Sequence, residues 1–300
     1  MIKRVVTIVN PAYLSLKNNQ MVVRQTKLGE EERSATVPIE DIGVLVMEHL
    51  QITITQALMA ALVENNVAIV TCNEQHMPVG LNLPLDGHNL QTERFREQLD
   101  ASEPLKKQLW QQTVQQKIRN QAALLSRNAR ECGNMTKWAQ EVHSGDTTHM
   151  EARAAVYYWK TIFPSIPDFV RGQEESPPNN LLNYGYAIVR AMMARALVAS
   201  GLLPTLGIFH HNRYNAYCLA DDIMEPYRPY VDEEVLGMLS WGVSYENLSA
   251  EHKKKLLSLP VKEVIIDGHR SPMQLAILRT AQSLQQCFSG QSRKIVYPTM

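Results

Sequence analysis

The sequence lacks the features that mark disulfide-stabilised, secreted and membrane-spanning proteins. Four cysteines in 300 residues lie 60, 86 and 69 positions apart and form no CxxC pair, which argues against a zinc knuckle or a redox dithiol and predicts free thiols. No stretch reaches the roughly 18 uninterrupted apolar residues of a membrane span. The N-terminus also lacks the apolar core and cleavage site of a signal peptide. We therefore expect a reduced, cytoplasmic protein with no membrane segment.

The chain also lacks a net charge, because its 30 Lys and Arg residues balance its 30 Asp and Glu residues. As a sum, this balance argues against a nucleic-acid partner, but binding depends on where cations cluster. Residues 106–137 carry seven cations against one acid, a local charge of +6, whereas residues 221–234 carry six acids against one cation, a local charge of −5. The first segment suits a phosphate backbone or is only a solvated helix face, and the second suits a bound cation.

A hydrophobic content of 45% with 20% charged residues predicts a folded chain, whose first part is rich in β-strands. The turn Lys17–Gln20 between two apolar runs indicates a hairpin, and Thr55 is placed to cap a short helix. The breaker at residues 84–87 ends this region. We predict a small N-terminal β-rich domain over residues 1–87. Its predicted strands are residues 3–9, 13–16, 21–25, 35–39, 42–47, 67–71 and 78–85.

From residue 88 onward the composition favours helices. Residues 93–138 contain one proline, few β-branched residues and many Gln, Arg, Lys, Leu and Ala residues, which are good helix formers. The predicted fold class is therefore α+β, with the β-rich domain followed by a larger all-α catalytic domain over residues 88–300. Further helices are predicted over residues 147–163, 181–200, 220–225, 232–239, 249–257 and 271–289.

Three places in the helical region carry side chains suited to chemistry. Glu151 is an acid in the first turn of a nearly apolar helix, where it is either functional or simply favoured by the helix dipole. An apolar stretch leads to His210, a metal-ligand type that is more often a satisfied surface or core histidine. Asp222 and Glu225 lie three residues apart on a predicted helix, so both carboxylates share one face. They are either ligands of a hard divalent cation or an exposed acidic helix start.

Carboxylates with one imidazole and no thiolate favour Mg²⁺ or Mn²⁺ over a structural zinc ion. The way these residues occur together closely resembles the pattern of one enzyme family. The segment Gly207–His210, followed by a polar turn and the segment Leu219–Pro229, is similar to the signature of the CRISPR adaptation integrases, the CRISPR-associated protein one endonucleases. Glu151 in its Ala-rich helix and the segment Asn180–Tyr186 resemble the upstream motifs of that family. The sequence Met-Glu-Pro-Tyr-Arg-Pro is more similar to the branch associated with type II systems.

The resemblance implies that Glu151, His210 and Glu225 are the catalytic metal ligands and that Asp222 is an accessory carboxylate, with Mg²⁺ or Mn²⁺ as the cofactor. It implies an endonuclease and integrase of antiviral defence, which inserts short foreign DNA into a CRISPR array. Each 3′-hydroxyl of the incoming duplex attacks a repeat phosphodiester, and water in its place gives endonuclease cutting. The metal stabilises the pentavalent phosphate and activates the oxygen nucleophile. His210 is alternatively a general acid or base beside the metal.

The resemblance further implies several partners. The β-rich domain forms a homodimer, and two such dimers surround a dimer of the small CRISPR-associated protein two in a hetero-hexamer. Double-stranded DNA, both prespacer and CRISPR repeat, lies across the assembly.

Cations of the basic cluster and Arg228 are candidates for contacts with the DNA backbone. For Arg228, an ion pair with nearby acids accounts for the residue as well as a phosphate contact does. The candidate DNA-binding residues are Lys117, Arg119, Arg127, Arg130, Lys137 and Arg228.

Two other functions compete with this interpretation. A ββα-metal nuclease would account for histidines beside acids, but that fold requires strands around the histidine, whereas the segment after Asn212 soon becomes helical. A non-catalytic DNA-binding scaffold subunit would have lost its metal. Against this second alternative, each predicted ligand position is occupied by a residue that can bind a metal.

Overall fold

The chain divides into two compact units, Met1–Asn89 and Leu90–Met300. This boundary lies two residues beyond the predicted one. That the first unit mediates dimerisation stays a prediction. The computed structural model describes residues 3–25, 33–166, 168–172, 175–240 and 244–300.

The first unit contains two four-stranded sheets. In the described part of this unit, the strands are β1 (Arg4–Ile8), β2 (Ala12–Lys17), β3 (Gln20–Gln25), β4 (Arg33–Pro38), β5 (Ile42–Met47), β6 (Ile52–Ile54), β7 (Ala68–Cys72) and β8 (Pro78–Asn82). One sheet has the order β1-β5-β7-β8 and the other β4-β3-β2-β6. All seven predicted strands have a counterpart, and the three-residue strand β6 is additional to them.

The predicted hairpin joins β2 to β3. Lys17 pairs with Gln20, and the two residues between them, Asn18 and Asn19, have φ angles of 50° and 55°. Asparagine adopts this left-handed conformation more readily than most side chains do, and two such residues make the turn that fits the twist of paired strands. The two asparagines therefore fix the register of the hairpin.

A single described helix, α1 (Gln56–Glu64), covers the core of this unit. Thr55 caps it as predicted, because its Oγ1 atom accepts a hydrogen bond from the Leu58 amide at 3.4 Å. Leu58 and Leu62 are one helical turn apart and are both fully buried in a core cluster with residues from both sheets. The 3.6-residue period of the helix thus supplies one apolar face to the strands.

The second unit is mainly helical. Each predicted helix has a counterpart, and the helix-favouring residues 93–138 contribute to three helices. The helices of the described residues are α2 (Gln91–Leu99), α3 (Glu103–Arg127), α4 (Met135–Glu141), α5 (Met150–Ile162), α6 (Asn179–Ala199), α7 (Cys218–Met224), α8 (Arg228–Leu239), α9 (Ala250–Leu256) and α10 (Met273–Phe288).

This unit is not all-α, which corrects the prediction. It contains the strands β9 (Glu263–Ile266), β10 (His269–Pro272) and β11 (Pro298–Thr299), in the order β10-β9-β11. Between β9 and β10, Asp267 and Gly268 have φ angles of 52° and 74°. A β-branched run followed by Asp-Gly is a hairpin signal, and the helical composition around it obscured that signal.

A buried carboxylate connects three helices of the second unit. Asp232 of α8 accepts hydrogen bonds from the hydroxyl of Tyr186 on α6 and, at 2.7 Å, from the hydroxyl of Tyr158 on α5. All three residues are almost completely inaccessible to solvent. Burial raises the pKa of Asp232 to about 6, even though both hydrogen bonds lower it. The network thereby fixes how α5, α6 and α8 pack on one another.

Two expectations drawn from what the sequence lacks can be compared with the described residues. Among their helices, none combines the length and the hydropathy that crossing a bilayer requires. All four cysteines are free thiols, of which Cys218 and Cys287 are buried and Cys72 and Cys132 partly so.

Candidate active site

Glu151 and Glu225 meet at a shared lysine in the second unit. Glu151 lies in the first turn of α5, and Glu225 begins a short 3-10 turn directly after α7. Lys117 of α3 lies between them, with its Nζ atom 2.6 Å from Glu151 Oε1 and 2.6 Å from Glu225 Oε2. His210, between α6 and α7, packs against Trp110 with ring centroids 5.5 Å apart, and Trp110 lies two turns before Lys117 on α3. The three predicted ligands therefore occupy one region.

Glu225 is the most enclosed of these acids, with 7% of its side chain exposed. Arg228 Nε lies 2.9 Å from its Oε1 atom, opposite the contact with Lys117. Burial alone would raise the pKa of Glu225, but Arg228 and Lys117 outweigh it and hold this pKa below its usual value. Glu225 is therefore ionised at neutral pH. Its Oε2 atom receives no hydrogen bond of good geometry from the described residues, so the charges of Arg228 and Lys117 compensate it.

Asp146 fixes the start of the helix that carries Glu151. Its Oδ1 atom accepts a hydrogen bond from the Met150 amide at 2.9 Å, and its Oδ2 atom accepts one from the Glu151 amide at 3.0 Å. A carboxylate at this place satisfies amides that the first helical turn leaves free and complements the helix dipole. Asp146 thus caps the helix that carries Glu151. The Glu151 side chain, 21% exposed, reaches Lys117 instead.

Asp222 organises the turn that carries His210. This carboxylate is fully buried, its Oδ1 atom lies 2.5 Å from His210 Nδ1, and its Oδ2 atom accepts a hydrogen bond from the Phe209 amide at 2.9 Å. Both oxygens are therefore engaged, which favours a positioning role over that of an accessory metal ligand. The contact with Asp222 raises the pKa of His210 against the opposing effect of burial. It also leaves Nε2 as the nitrogen that is free to act, on a ring whose side chain is 47% exposed.

Aromatic side chains support the histidine from the other side. Trp110 of α3 stacks on Phe209 with ring centroids 4.3 Å apart and an interplanar angle of 4°. The His210 ring packs edge-on against both, at 5.5 Å from Trp110 and 5.1 Å from Phe209. Trp110 is fully buried, so this support is rigid. It limits rotation of the imidazole and keeps it aligned with Asp222.

One face of α3 carries three side chains that contact residues of the site. Trp110, Lys117 and Asn120 are separated by seven and three residues, a spacing that places them on the same side of a helix. Asn120 donates a hydrogen bond from Nδ2 to the Pro226 carbonyl at 2.7 Å and another to the Pro298 carbonyl at 3.1 Å. Its Oδ1 atom accepts one from the Met300 amide at 3.2 Å. Trp110 and Asn120 are not among the predicted site residues, although their spacing from Lys117 on one helix face was the available signal.

Gly207 lets the histidine turn approach Asp222. A Cβ atom at this position would lie 2.4 Å from the His210 carbonyl oxygen and 2.8 Å from Asp222 Oδ2. We expect Gly207→Ala to open the turn and lower stability by about 1–3 kcal/mol, measured by thermal unfolding. Gly237→Ala is the control, because a Cβ there meets nothing within 4 Å and alanine favours a helix. Equal melting temperatures of Gly207→Ala and the wild type would contradict the packing argument.

Two of the candidate DNA-binding arginines have partners inside the fold. Arg228 pairs with Glu225, and its guanidinium lies 4.8 Å from the ring centre of Tyr186. Arg130 donates a hydrogen bond to the Thr161 carbonyl at 3.1 Å. For Arg228 the structure thus favours the pairing with acids that the sequence offered as an alternative to a phosphate contact.

The other candidates lie nearer the surface. Arg119 is exposed on α3. Arg127 lies 3.5 Å from Glu233 with 48% of its side chain exposed, and Lys137 lies 3.7 Å from Glu141 with 70% exposed. Exposed ion pairs of this kind contribute little to stability, so these three cations remain available to phosphates.

The donor chemistry of the site fits a divalent cation. Two carboxylates and an imidazole without a thiolate are ligands that Mg²⁺ and Mn²⁺ accept, and Glu225 Oε2 keeps no well-formed hydrogen bond that a cation would have to break. Among the described residues, however, no group of three His, Cys, Asp or Glu side chains is arranged to hold a metal ion. The ammonium of Lys117 lies where the two acids come together.

Two solved structures share the fold. A casposase bound to its integration product superimposes with a TM-score of 0.80 at 19% identity, covering 98% of this chain and 92% of that one. A chain of a Cas6-RT-Cas1–Cas2 complex superimposes with a TM-score of 0.76 at 19% identity, covering 98% of this chain and 36% of that one. At these identities the similarity is one of fold.

The sequence itself has a nearer relative. The chain is 37% identical over 297 residues to the CRISPR-associated endonuclease Cas1 of Neisseria meningitidis serogroup C (strain 8013), a match that covers 97% of this chain and 94% of that protein. The family model described as CRISPR associated protein Cas1 matches residues 6–258. Together with the fold and the residues gathered at the site, these matches show that the chain belongs to the CRISPR-associated protein Cas1 family.

Proposed function

We propose that the chain is a divalent-metal-dependent DNA endonuclease and integrase, which joins each 3′-hydroxyl of a short foreign duplex to a phosphodiester of a CRISPR repeat. The observation that carries this proposal is the convergence of Glu151, Glu225 and His210 in one region of the second unit. Two carboxylates and an oriented imidazole are the residue types that phosphodiester chemistry with a metal requires. The names of the Neisseria relative, an endonuclease, and of the casposase with its integration product support DNA as the substrate.

The residues have distinct roles in this proposal. Glu151, His210 and Glu225 would hold Mg²⁺ or Mn²⁺, which supplies Lewis-acid stabilisation of the phosphate and lowers the pKa of the attacking hydroxyl. Asp222 holds His210 by Nδ1, so that Nε2 faces the reaction. Lys117 and Arg228 keep Glu225 ionised. The 47% exposure of His210 leaves the site open to a large substrate on that side.

The proposed partners follow the family. We propose a homodimer formed through residues 1–87 and a hetero-hexamer with a dimer of Cas2, which the name of the solved Cas6-RT-Cas1–Cas2 complex supports. Prespacer and repeat DNA would bind the exposed cations Arg119, Arg127 and Lys137. A role in a type II system stays a prediction.

A strand-transfer assay tests the activity. A labelled duplex with free 3′-hydroxyls is incubated with plasmid DNA carrying the cognate repeat, with Mg²⁺, with Mn²⁺ and with excess chelator. We expect joined products only with metal, and a fall of about a thousandfold for His210→Ala, because the imidazole acts on the reacting groups directly or through the metal. His211→Ala, an exposed neighbour, is the matched control and should retain activity.

The same assay separates the alternatives. A non-catalytic scaffold would bind the duplex with and without metal and never join it. Joining that persists in chelator would contradict metal dependence, whereas a fully active His210→Ala variant would contradict the site. Binding of the labelled duplex is measured in parallel, so that a loss of joining is distinguished from a loss of affinity.

A further inference from the structure

We propose that Lys117 is a built-in counter-ion of the two acids, which holds Glu151 and Glu225 together before a metal binds and competes with that metal for them. The inference rests on the proposed function, since it takes these acids to be metal ligands. It assigns to Lys117 a positioning role that the resemblance to the family did not imply. The basic cluster at residues 106–137 predicts instead that Lys117 binds DNA.

The geometry distinguishes Lys117 from the surface lysines. Its Nζ atom lies 2.6 Å from an oxygen of each acid, and only 13% of its side chain is exposed. Lys106 and Lys137 lie 3.2 Å and 3.7 Å from single glutamates within their own helices. Lys117 instead joins side chains from two elements other than its own. Its ammonium therefore bridges the acids across the interface of α3 with α5 and the turn after α7.

The charge balance of the site explains why such a bridge is needed. Glu151 and Glu225 bring two negative charges together, and like charges in a partly buried site repel each other strongly. The ammonium of Lys117 lies 2.6 Å from a carboxylate oxygen of each acid and offsets this repulsion. With Arg228 on Glu225, two cations already balance the two acids when no metal is present.

Competition follows from the same balance. A divalent cation that binds these carboxylates adds two positive charges beside an ammonium that contacts both of them. The ammonium must leave at least one of the acids before the metal binds there, which reduces metal affinity relative to a site without Lys117. Removing the charge of Lys117 should therefore increase the affinity for metal and lower the folding stability of the metal-free protein.

The test measures metal affinity and not turnover. Mn²⁺ binding to the full chain is followed by electron paramagnetic resonance for the wild type, Lys117→Met and Lys107→Met. Methionine keeps the length of the stem and removes the charge, and Lys107 is an exposed lysine of the same helix. We expect Lys117→Met to bind Mn²⁺ about tenfold more tightly than the wild type does. In chelator this variant should melt at a lower temperature than the wild type, and added Mn²⁺ should raise its melting temperature by more. The control should match the wild type. Unchanged or weaker binding by a folded Lys117→Met would overturn the proposal.

A second measurement uses the wild type and does not depend on how the variant folds. Lysines are acylated with acetic anhydride, with and without Mg²⁺, and modification is quantified by mass spectrometry. Metal should speed acylation of Lys117 relative to Lys107, because it releases the ammonium from its ion pairs. Equal rates in the two conditions, for a protein shown to have bound the metal, would overturn the proposal.

Glu225→Gln keeps the two proposals apart. If this variant binds Mn²⁺ as tightly as the wild type, the acids are not metal ligands and the proposed function itself fails. If it loses Mn²⁺ while Lys117→Met binds no better than the wild type, the proposed function stands and only the role of Lys117 is refuted.

Discussion

Glu225→Gln is expected to reduce metal-dependent DNA joining by about a thousandfold or more and to destabilise the second unit at the same time. The change keeps the shape of the side chain and removes its charge. It leaves Arg228 without its carboxylate and Lys117 with one acid instead of two. Breaking a buried pair by removing one partner costs on the order of 3 kcal/mol, which corresponds to roughly 5–10 °C in melting temperature for a unit of this size.

Glu151→Gln is the informative comparison because it makes the same chemical change at a more exposed acid. The side chain of Glu151 is 21% exposed against 7% for Glu225, and Arg228 does not depend on it. We expect a similar loss of joining with a smaller loss of melting temperature. Activity is measured by strand transfer and stability by calorimetry in chelator. Full activity in either variant would refute the role of the substituted acid as a metal ligand. Equal melting temperatures of the two variants would contradict the expectation that the more buried acid contributes more to stability.

Asp232→Ala is expected to cost about 3–5 kcal/mol of stability, because it leaves the hydroxyls of Tyr158 and Tyr186 buried without their acceptor. Glu233→Ala, one residue further on, removes a carboxylate that is 29% exposed and should cost about 1 kcal/mol or less. Chemical denaturation of both variants gives the comparison. Similar losses at the two positions would contradict the importance of the buried network.

The same carboxylate should make stability depend on pH in a defined direction. The folded protein holds the proton of Asp232 up to about pH 6, whereas the unfolded chain releases it near 3.8. The contribution is therefore fully present below pH 3.8 and is lost as the pH rises to about 6, a change on the order of 3 kcal/mol. Asp232→Asn cannot titrate, so the difference in stability between it and the wild type should change between pH 4 and 6. Parallel profiles would show that this pKa is not raised.

The fold was predictable where local patterns were strong. The hairpin at residues 17–20, the cap at Thr55 and the helices of the second unit follow from turn residues, side-chain oxygens and composition, all of which act over a few residues. The strand pair around residues 267–268 was missed because its Asp-Gly turn lies among helix-forming segments. Residues 93–138 break into separate helices at a local signal too, since Ser102 caps α3 and a proline follows in its first turn.

The candidate site was predictable in its acids and its histidine but not in its cations. Residues 106–137 and 221–234 were read as separate basic and acidic clusters, one for phosphates and the other for a metal. In the structure these clusters partly neutralise each other, since Lys117 contacts Glu225 and Arg127 approaches Glu233. Which cation meets which acid depends on how α3 packs against the segment around α8, and linear spacing does not contain that information.

Asn120 connects parts of the site that are synthesised at different times. Its amide holds the turn after Glu225 and also contacts Pro298 and Met300. On the ribosome, α3 and the acids emerge long before residues 298–300 do. Asn120 therefore acquires its full set of hydrogen bonds only after residues 298–300 have left the exit tunnel, well after both acids have been synthesised.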